Sequence, residues 1–189
     1  VDTPIDYESL LAMGTMMGSG GIIVLDEDAC MVDIAKFFLE FIVDESCGKC
    51  TPCRIGNKRL YEILEKITQG KGTEEDLDRL TTLGNSIIAG SLCGLGKSSP
   101  NPILSTIRYF KDEYLAHVRD KKCPAHVCKD LKQYIILEDK CVGCTACARN
   151  CPTNCIAGEV KKTHVIDQDR CIKCGTCYAK CKFGAIEIR

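Results

Sequence analysis

Cys141-Val142-Gly143-Cys144-Thr145-Ala146-Cys147-Ala148-Arg149-Asn150-Cys151-Pro152 and Cys171-Ile172-Lys173-Cys174-Gly175-Thr176-Cys177-Tyr178-Ala179-Lys180-Cys181-Lys182 are one pattern written twice. In each copy three cysteines stand two residues apart and a fourth follows after three more. Two such runs in succession are the spacing of [4Fe–4S] ligand sets. The copies are offset by 30 residues, and their flanks align too: Ile135 to Lys140 on Val165 to Arg170, and Ile156 on Ile186. Each half is therefore expected to be a short strand, a cysteine loop and a short helix, the two halves packing pseudo-symmetrically.

A tight loop can offer three thiolates to one face of an iron–sulfur cube, so the fourth must come from elsewhere. In paired runs of this kind the fourth cysteine serves the other cluster. The expected sets are Cys141, Cys144, Cys147 and Cys181 for one cube, and Cys171, Cys174, Cys177 and Cys151 for the other. Zinc ribbons use two Cys-x-x-Cys pairs and not triplets with a distant fourth, which argues against zinc here. The second run has Lys182 where the first has Pro152, placing a cation near those sulfurs, where it could shift that cluster's potential. The unit as a whole is an α+β bacterial two-cluster ferredoxin domain.

A third set precedes these: Cys47-x-x-Cys50-x-x-Cys53, inside Glu45-Ser46-Cys47-Gly48-Lys49-Cys50-Thr51-Pro52-Cys53-Arg54, just before a helical pattern. Unpaired N–H groups at a helix start favour an anionic cluster. The fourth donor is expected to be Cys93, in Ser91-Leu92-Cys93-Gly94-Leu95-Gly96, where glycines permit close approach. Zinc on the same four thiolates is the competing reading.

The rest of the chain frames these sets. At 189 residues and net charge −1 there is no basic field for nucleic acid and no apolar run long enough to span a membrane. No signal peptide is visible, and Val1-Asp2-Thr3-Pro4 suggests a chain that begins mid-protein. Sixteen cysteines bunched at short spacing read as metal ligands in a reducing, cytoplasmic setting and not as a disulfide scaffold. Residues 1–28 read as the end of a truncated upstream domain, with Ile22 to Leu25 a buried strand. Gly18-Ser19-Gly20-Gly21 is a turn there, since it lacks the spacing of a phosphate loop. Residues 29–118 read as four amphipathic helices, near 31–44, 54–68, 73–88 and 101–118. The expected inward faces carry Ile34, Phe37, Phe38, Phe41 and Ile42; Leu60, Ile63, Leu64 and Ile67; Leu77, Leu80, Leu83, Ile87 and Ile88; and Ile103, Ile107, Phe110, Tyr114 and Val118. Thr73 is the expected cap of the third helix. Residues 119–130 form a linker with a zinc knuckle, and 131–189 the ferredoxin domain. The fold class is thus a mostly α helical bundle carrying one [4Fe–4S] cluster, followed by the two-cluster domain.

Four cysteines remain. Cys155 aligns with Ala185 in the repeat and reads as a small, buried, inert residue. Cys123-x4-Cys128 suggests a Cys/His zinc site, with His117 better placed than His126 and with Cys30 as fourth ligand if the first and fourth helices are neighbours. A disulfide or free thiols are the alternatives.

Glu45 to Arg54, the Cys93 loop and Met16-Met17-Gly18-Ser19-Gly20-Gly21 together resemble the NADH-oxidising flavoprotein subunit of respiratory NADH dehydrogenases, over residues 1–118. With the two-cluster domain added, the chain resembles the beta subunit of NAD(P)-linked, electron-bifurcating hydrogenases. The resemblance implies an electron relay through three [4Fe–4S] clusters, the first fed by a flavin. It also implies FMN and NAD(P)H sites in an upstream domain, and partners that include hydrogenase-type and small [2Fe–2S] subunits and soluble ferredoxin. No flavin or dinucleotide loop occurs in these 189 residues, so this chain is expected to bind neither alone and to hold no catalytic acid, base or nucleophile. A beta subunit of NAD-dependent formate dehydrogenase, or a non-catalytic metal-bridged interaction module, is the rival reading.

Overall fold

A computed structural model describes residues 3–14 and 18–189; Met16 and Met17 of the resemblance motif lie outside them. The chain divides into two compact units, Val1–Cys128 and Lys129–Arg189.

The first unit is helical. A short helix, α1 (Tyr7–Ala12), is capped by Asp6, whose carboxylate accepts the Ser9 N–H at 2.7 Å. Next come α2 (Met31–Glu45), a π-helical turn at Pro52–Gly56, α3 (Asn57–Thr68), α4 (Glu74–Gly90), α5 (Gly94–Ser98), α6 (Asn101–Tyr109), α7 (Lys111–Leu115) and a second π turn at Ala116–Asp120. α2 packs on α3, α6 and α7, while α4 packs on α3, α5 and α6. Val32, Ala35, Leu39, Leu60, Leu64, Ile67, Leu80, Ile87 and Ile103 fill the core between them. The helical periodicity places most of these inward.

Three expectations need correction. Ile22 to Leu25 is neither a strand nor buried; Val24 is 87% exposed. A strand needs a partner edge, and the described residues of this unit hold no other strand to supply one. On α2, Phe37 and Phe41 lie at the surface, because the small Ala35 with Val32 and Leu39 defines the stripe that packs. The helix expected over 101–118 breaks at Phe110, whose φ of −126° and ψ of 36° leave the helical region. Phe110 itself is therefore exposed. After the break Tyr114 is buried with its hydroxyl 2.8 Å from Thr106 Oγ1.

The start of α4 is closed by a capping box between Thr73 and Asp76. Asp76 Oδ2 accepts from Thr73 N at 2.8 Å, Thr73 Oγ1 at 3.0 Å and Lys66 Nζ at 2.7 Å. The chain leaving the second π turn is tied to the same end of α4: Arg119 holds Glu74 with two bonds of 2.7 and 2.6 Å, and Lys121 Nζ donates to Gly72 O.

The second unit is β1 (Tyr134–Ile136), α8 (Ala146–Arg149), β2 (Ile156–Ala157), β3 (Val165–Ile166), α9 (Thr176–Lys180) and β4 (Ile186–Ile188). β1 pairs antiparallel with β4, Tyr134 facing Ile188 and Ile136 facing Ile186; β2 pairs with β3, Ile156 facing Ile166. The strand that opens each half thus pairs with the strand that closes the other. The repeat extends to the backbone: Gly143 and Lys173, Thr145 and Gly175, and Asn154 and Gly184 all have left-handed φ, between 49° and 76°. At each pair one half uses glycine and the other does not. The loop shape is therefore imposed by the fold and not by glycine alone. No helix among the described residues is long and apolar enough to cross a membrane.

Burial alone would raise the Asp76 pKa, but the bonds from Lys66 and Thr73 outweigh it and hold the carboxyl below its usual value. Its stabilisation is accordingly full above the unfolded pKa of ~3.9 and is lost as pH falls through the folded one. Asp76→Asn should cost about 2 kcal/mol at pH 7. Paired urea melts of the two proteins should keep that gap from pH 8 to 5 and close it only below ~4; a gap unaffected by acid would contradict the assignment.

Candidate metal centres

In the second unit, the two cysteine loops and the strand pairing create two cavities. One is lined by Cys141, Cys144, Cys147 and Cys181, with Ile136, His164 and Phe183 among its walls. The other is lined by Cys171, Cys174, Cys177 and Cys151, with Tyr134, Pro152 and Ile172. The first cavity therefore takes three cysteines from one half and one from the other; the second takes three from one half and two, Cys151 and Cys155, from the other. Backbone N–H groups aim at the crossing sulfurs in both: Cys155 N to Cys151 Sγ at 3.4 Å and Ala185 N to Cys181 Sγ at 3.3 Å. Cys155 is buried, as is its counterpart Ala185, and its sulfur stands 3.4 Å from Cys151 Sγ. Burial pushes the Cys177 thiol up to about 11 and raises that of Cys147, while Thr176 lowers that of Cys174 through two hydrogen bonds. Four thiols around an apolar hollow form a donor set of the soft, sulfur-only kind that [4Fe–4S] clusters take.

In the first unit, Cys53 is buried in the first π turn, Cys50 is half-buried, and Cys47 and Cys93 reach the surface. The Cys50 sulfur receives the backbone N–H groups of Leu92 and Cys53, which hold its thiol below the ordinary value. That contact brings the Ser91–Cys93 segment against the Cys47–Cys53 loop. Gly96 makes the approach possible: a Cβ there would lie 2.4 Å from Ser91 Oγ and 3.2 Å from Cys53 Cβ. Ser91 Oγ is buried there without a well-formed hydrogen bond and has only the Cys50 sulfur to turn to, so cluster sulfur would complete its bonding. Two polar residues not anticipated from the sequence surround Cys53. Asn57, fully buried, donates from Nδ2 to Cys53 Sγ at 3.4 Å, and its Oδ1 accepts from buried Ser99 Oγ at 2.8 Å. Ser46 Oγ lies 3.3 Å from the same sulfur. Spacing could have suggested Asn57, four residues beyond Cys53 and so on the same helical face; nothing local marks Ser99.

A fourth cluster of donors lies between α2 and the second π turn. Cys30, the N-cap of α2, meets His117, Cys123 and Cys128, all four buried and with their donor atoms within 4.8 Å of one another. His117 Nε2 is 3.4 Å from both Cys30 Sγ and Cys128 Sγ, and those two sulfurs are 3.8 Å apart. His117 Nδ1 stands 2.7 Å from the Glu113 carbonyl, which can only accept. Nδ1 therefore carries a proton, and Nε2 faces the thiols, the nitrogen that would offer its lone pair to a metal. Without a metal, burial would lower the His117 pKa, but bonds to Cys123 and Cys30 raise it to about 10. The mutual bond of Cys123 and Cys128, with Cys30 beside both, lowers the Cys123 thiol and raises that of Cys128, so a charge is forced into a buried space. A divalent cation bound by the four would relieve that conflict. His126 is not among the four; its Nδ1 is buried without a partner.

Residues 33–117 match the NADH-ubiquinone oxidoreductase-F iron-sulfur binding region, and 134–157 and 164–187 each match the 4Fe-4S binding domain, at the offset of the internal repeat. Over 164 residues the chain is 62% identical to the NADP-reducing hydrogenase subunit HndC of Solidesulfovibrio fructosivorans, covering 87% of this chain and 34% of that protein. The chain belongs to the iron–sulfur part of the family of NADH-oxidising flavoprotein subunits. A second member, from the NADH-quinone oxidoreductase of Mycobacterium bovis, is 44% identical over 124 residues, covering 66% of this chain and 28% of that one. Among solved structures, an NAD+-reducing [NiFe]-hydrogenase in its H2-reduced state is 36% identical over 51% of this chain and 17% of its own, with a TM-score of 0.49. The chain spans about a third of the length of the curated relatives it matches. It carries [4Fe–4S]-binding regions in both of its units.

Gly96→Ala should push the Cys93 loop off Cys53 while leaving the second unit unaffected. Iron and sulfide analysis should show the loss of about one cluster's worth of each, about four atoms. An unchanged iron content would mean that this contact does not shape the site.

Proposed function

We propose that the chain is an electron relay carrying three [4Fe–4S] clusters, held by Cys47, Cys50, Cys53 and Cys93; by Cys141, Cys144, Cys147 and Cys181; and by Cys171, Cys174, Cys177 and Cys151. The observation that carries the reading is the crossed lining of the two cavities in the second unit, where the last cysteine of each run meets the triplet of the other half. Bound clusters would take up and pass on single electrons. The chain's own residues position the thiolates, exclude water and supply the hydrogen bonds that set potentials. The relay belongs to the NAD(P)H-linked flavoprotein subunit of a multi-subunit hydrogenase of the electron-bifurcating kind, a reading supported by the 62% identity to a hydrogenase subunit. FMN and NAD(P)H would bind outside these 189 residues, and the partners would be hydrogenase-type and small [2Fe–2S] subunits.

Anaerobically purified protein should contain about twelve irons and twelve sulfides per chain. Cys181→Ala should abolish the cluster of Cys141, Cys144 and Cys147, and leave that of Cys171, Cys174 and Cys177 intact. Site-resolved spectroscopy that found the reverse would refute the crossed assignment, and zinc in place of iron would turn the chain into a structural module.

The quartet of Cys30, His117, Cys123 and Cys128 is proposed to hold one zinc, which has no redox chemistry and suits a closed tetrahedral site. Metal analysis of protein prepared without added zinc should return about one zinc per chain, and the Cys123→Ser variant much less. Protein that carries all its iron but no zinc would exclude this site.

A further inference from the structure

The buried polar pair beside Cys53 is unlike an apolar helical core: Ser99 caps the end of α5, but that role needs no buried amide facing it. Asn57 opens α3, is wholly inaccessible to water, and among the described residues its amide has two side-chain partners, Cys53 and Ser99. A cluster-bound thiolate has lone pairs and no proton, so it can only accept. The amide must therefore turn Nδ2 towards Cys53 Sγ, 3.4 Å away, and Oδ1 towards Ser99 Oγ, 2.8 Å away. The Ser99 hydroxyl also stands 3.0 Å from Gly96 O. Its single proton is shared between the two acceptors, the shorter contact being to the amide.

From this geometry we infer that Asn57, locked in orientation by Ser99, is a potential-setting hydrogen-bond donor to the cluster that Cys53 ligates. The inference rests on the proposal that Cys53 is a ligand. An electron added to the cluster increases the negative charge on its sulfurs, and an N–H dipole aimed at one of them stabilises the reduced form more than the oxidised one. In a dry, low-dielectric setting that difference is large compared with the same bond in water. Hydrogen bonds to the sulfurs are among the factors that set cluster potentials. Asn57 therefore raises the potential of its cluster, and Ser99 is a positioning residue that keeps the donor aimed. The Ser46 hydroxyl contributes a separate contact to the same sulfur, which stays in place when Asn57 is changed.

Asn57→Leu tests this on the full chain, because leucine matches the volume, offers no donor, and leaves the Ser99 hydroxyl bonded to Gly96 O. A potentiometric titration followed by EPR, with the signal assigned by its disappearance in Cys53→Ala, should show wild-type iron content and a lower midpoint. At the wild-type midpoint the reduced-to-oxidised ratio should fall about tenfold, equivalent to ~59 mV for one electron. Ser99→Ala should move the midpoint the same way by less. A full complement of iron with an unmoved midpoint in Asn57→Leu overturns the inference. If Asn57→Leu fails to hold the cluster, Ser99→Ala decides by the same measurement, an unmoved midpoint overturning it. A Cys53→Ala protein that keeps all three clusters would instead refute the ligand assignment, which separates the two failures.

Discussion

A cube of iron and sulfide needs thiolates on four sides, and a single tight loop can reach only three of them. That geometric shortfall governs the second unit. In the proposed ligand sets the fourth cysteine of each run crosses to the other loop, and the strand pairing suits this: β1 with β4 and β2 with β3 place Cys181 beside the first loop and Cys151 beside the second. The apolar core of this unit is small and is partly made of the cysteines themselves, with Cys147, Cys155 and Cys177 packed among Tyr134, Ile156, Ile166 and Ile186. A core of that size gives a domain of about 60 residues little to spare. Metal binding is then part of the folding free energy and not an addition to a finished fold.

The first unit meets the same shortfall by a different route. Its triplet runs from a loop into a π turn that holds Cys53, and Cys93, the proposed fourth ligand, stands on the short loop between α4 and α5, brought in by the packing of helices. Gly96 allows the loops to touch, and Asn57 with Ser99 fills the gap behind Cys53 with directed polarity where a bundle would ordinarily place leucine. The quartet of Cys30, His117, Cys123 and Cys128 adds a second metal-type cluster to the same unit, built from the cap of α2, a π turn and the segment that follows it. Thiols and an imidazole this deeply buried perturb one another's protonation strongly, which is a reason for them to be filled by a cation and not left as they are.

What the sequence determined by itself is what local geometry controls. Cysteines with two residues between them curl round one centre wherever they occur, so the three triplets, the 30-residue repeat, the amphipathic stripes of α3 and α4 and the cap at Thr73 were legible without a fold. Whatever depends on which distant surfaces meet was not. The apolar run Ile22 to Leu25 has strand-like composition, yet composition cannot supply a partner edge. Phe37 and Phe41 sit at helical spacing, but α2 packs through Ala35 because a small residue allows closer approach than a ring. Phe110 reads as a core position in an unbroken helix; the break there is visible only once Tyr114 and His117 are seen with their partners. Cys30 could be joined to His117 in sequence only on the condition that two helices were neighbours, and Ser99 carries no local sign of its bond to Asn57. Tertiary structure decided these points, because side chains 42 or 87 residues apart are brought within bonding distance by helix packing, which spacing along the chain does not encode.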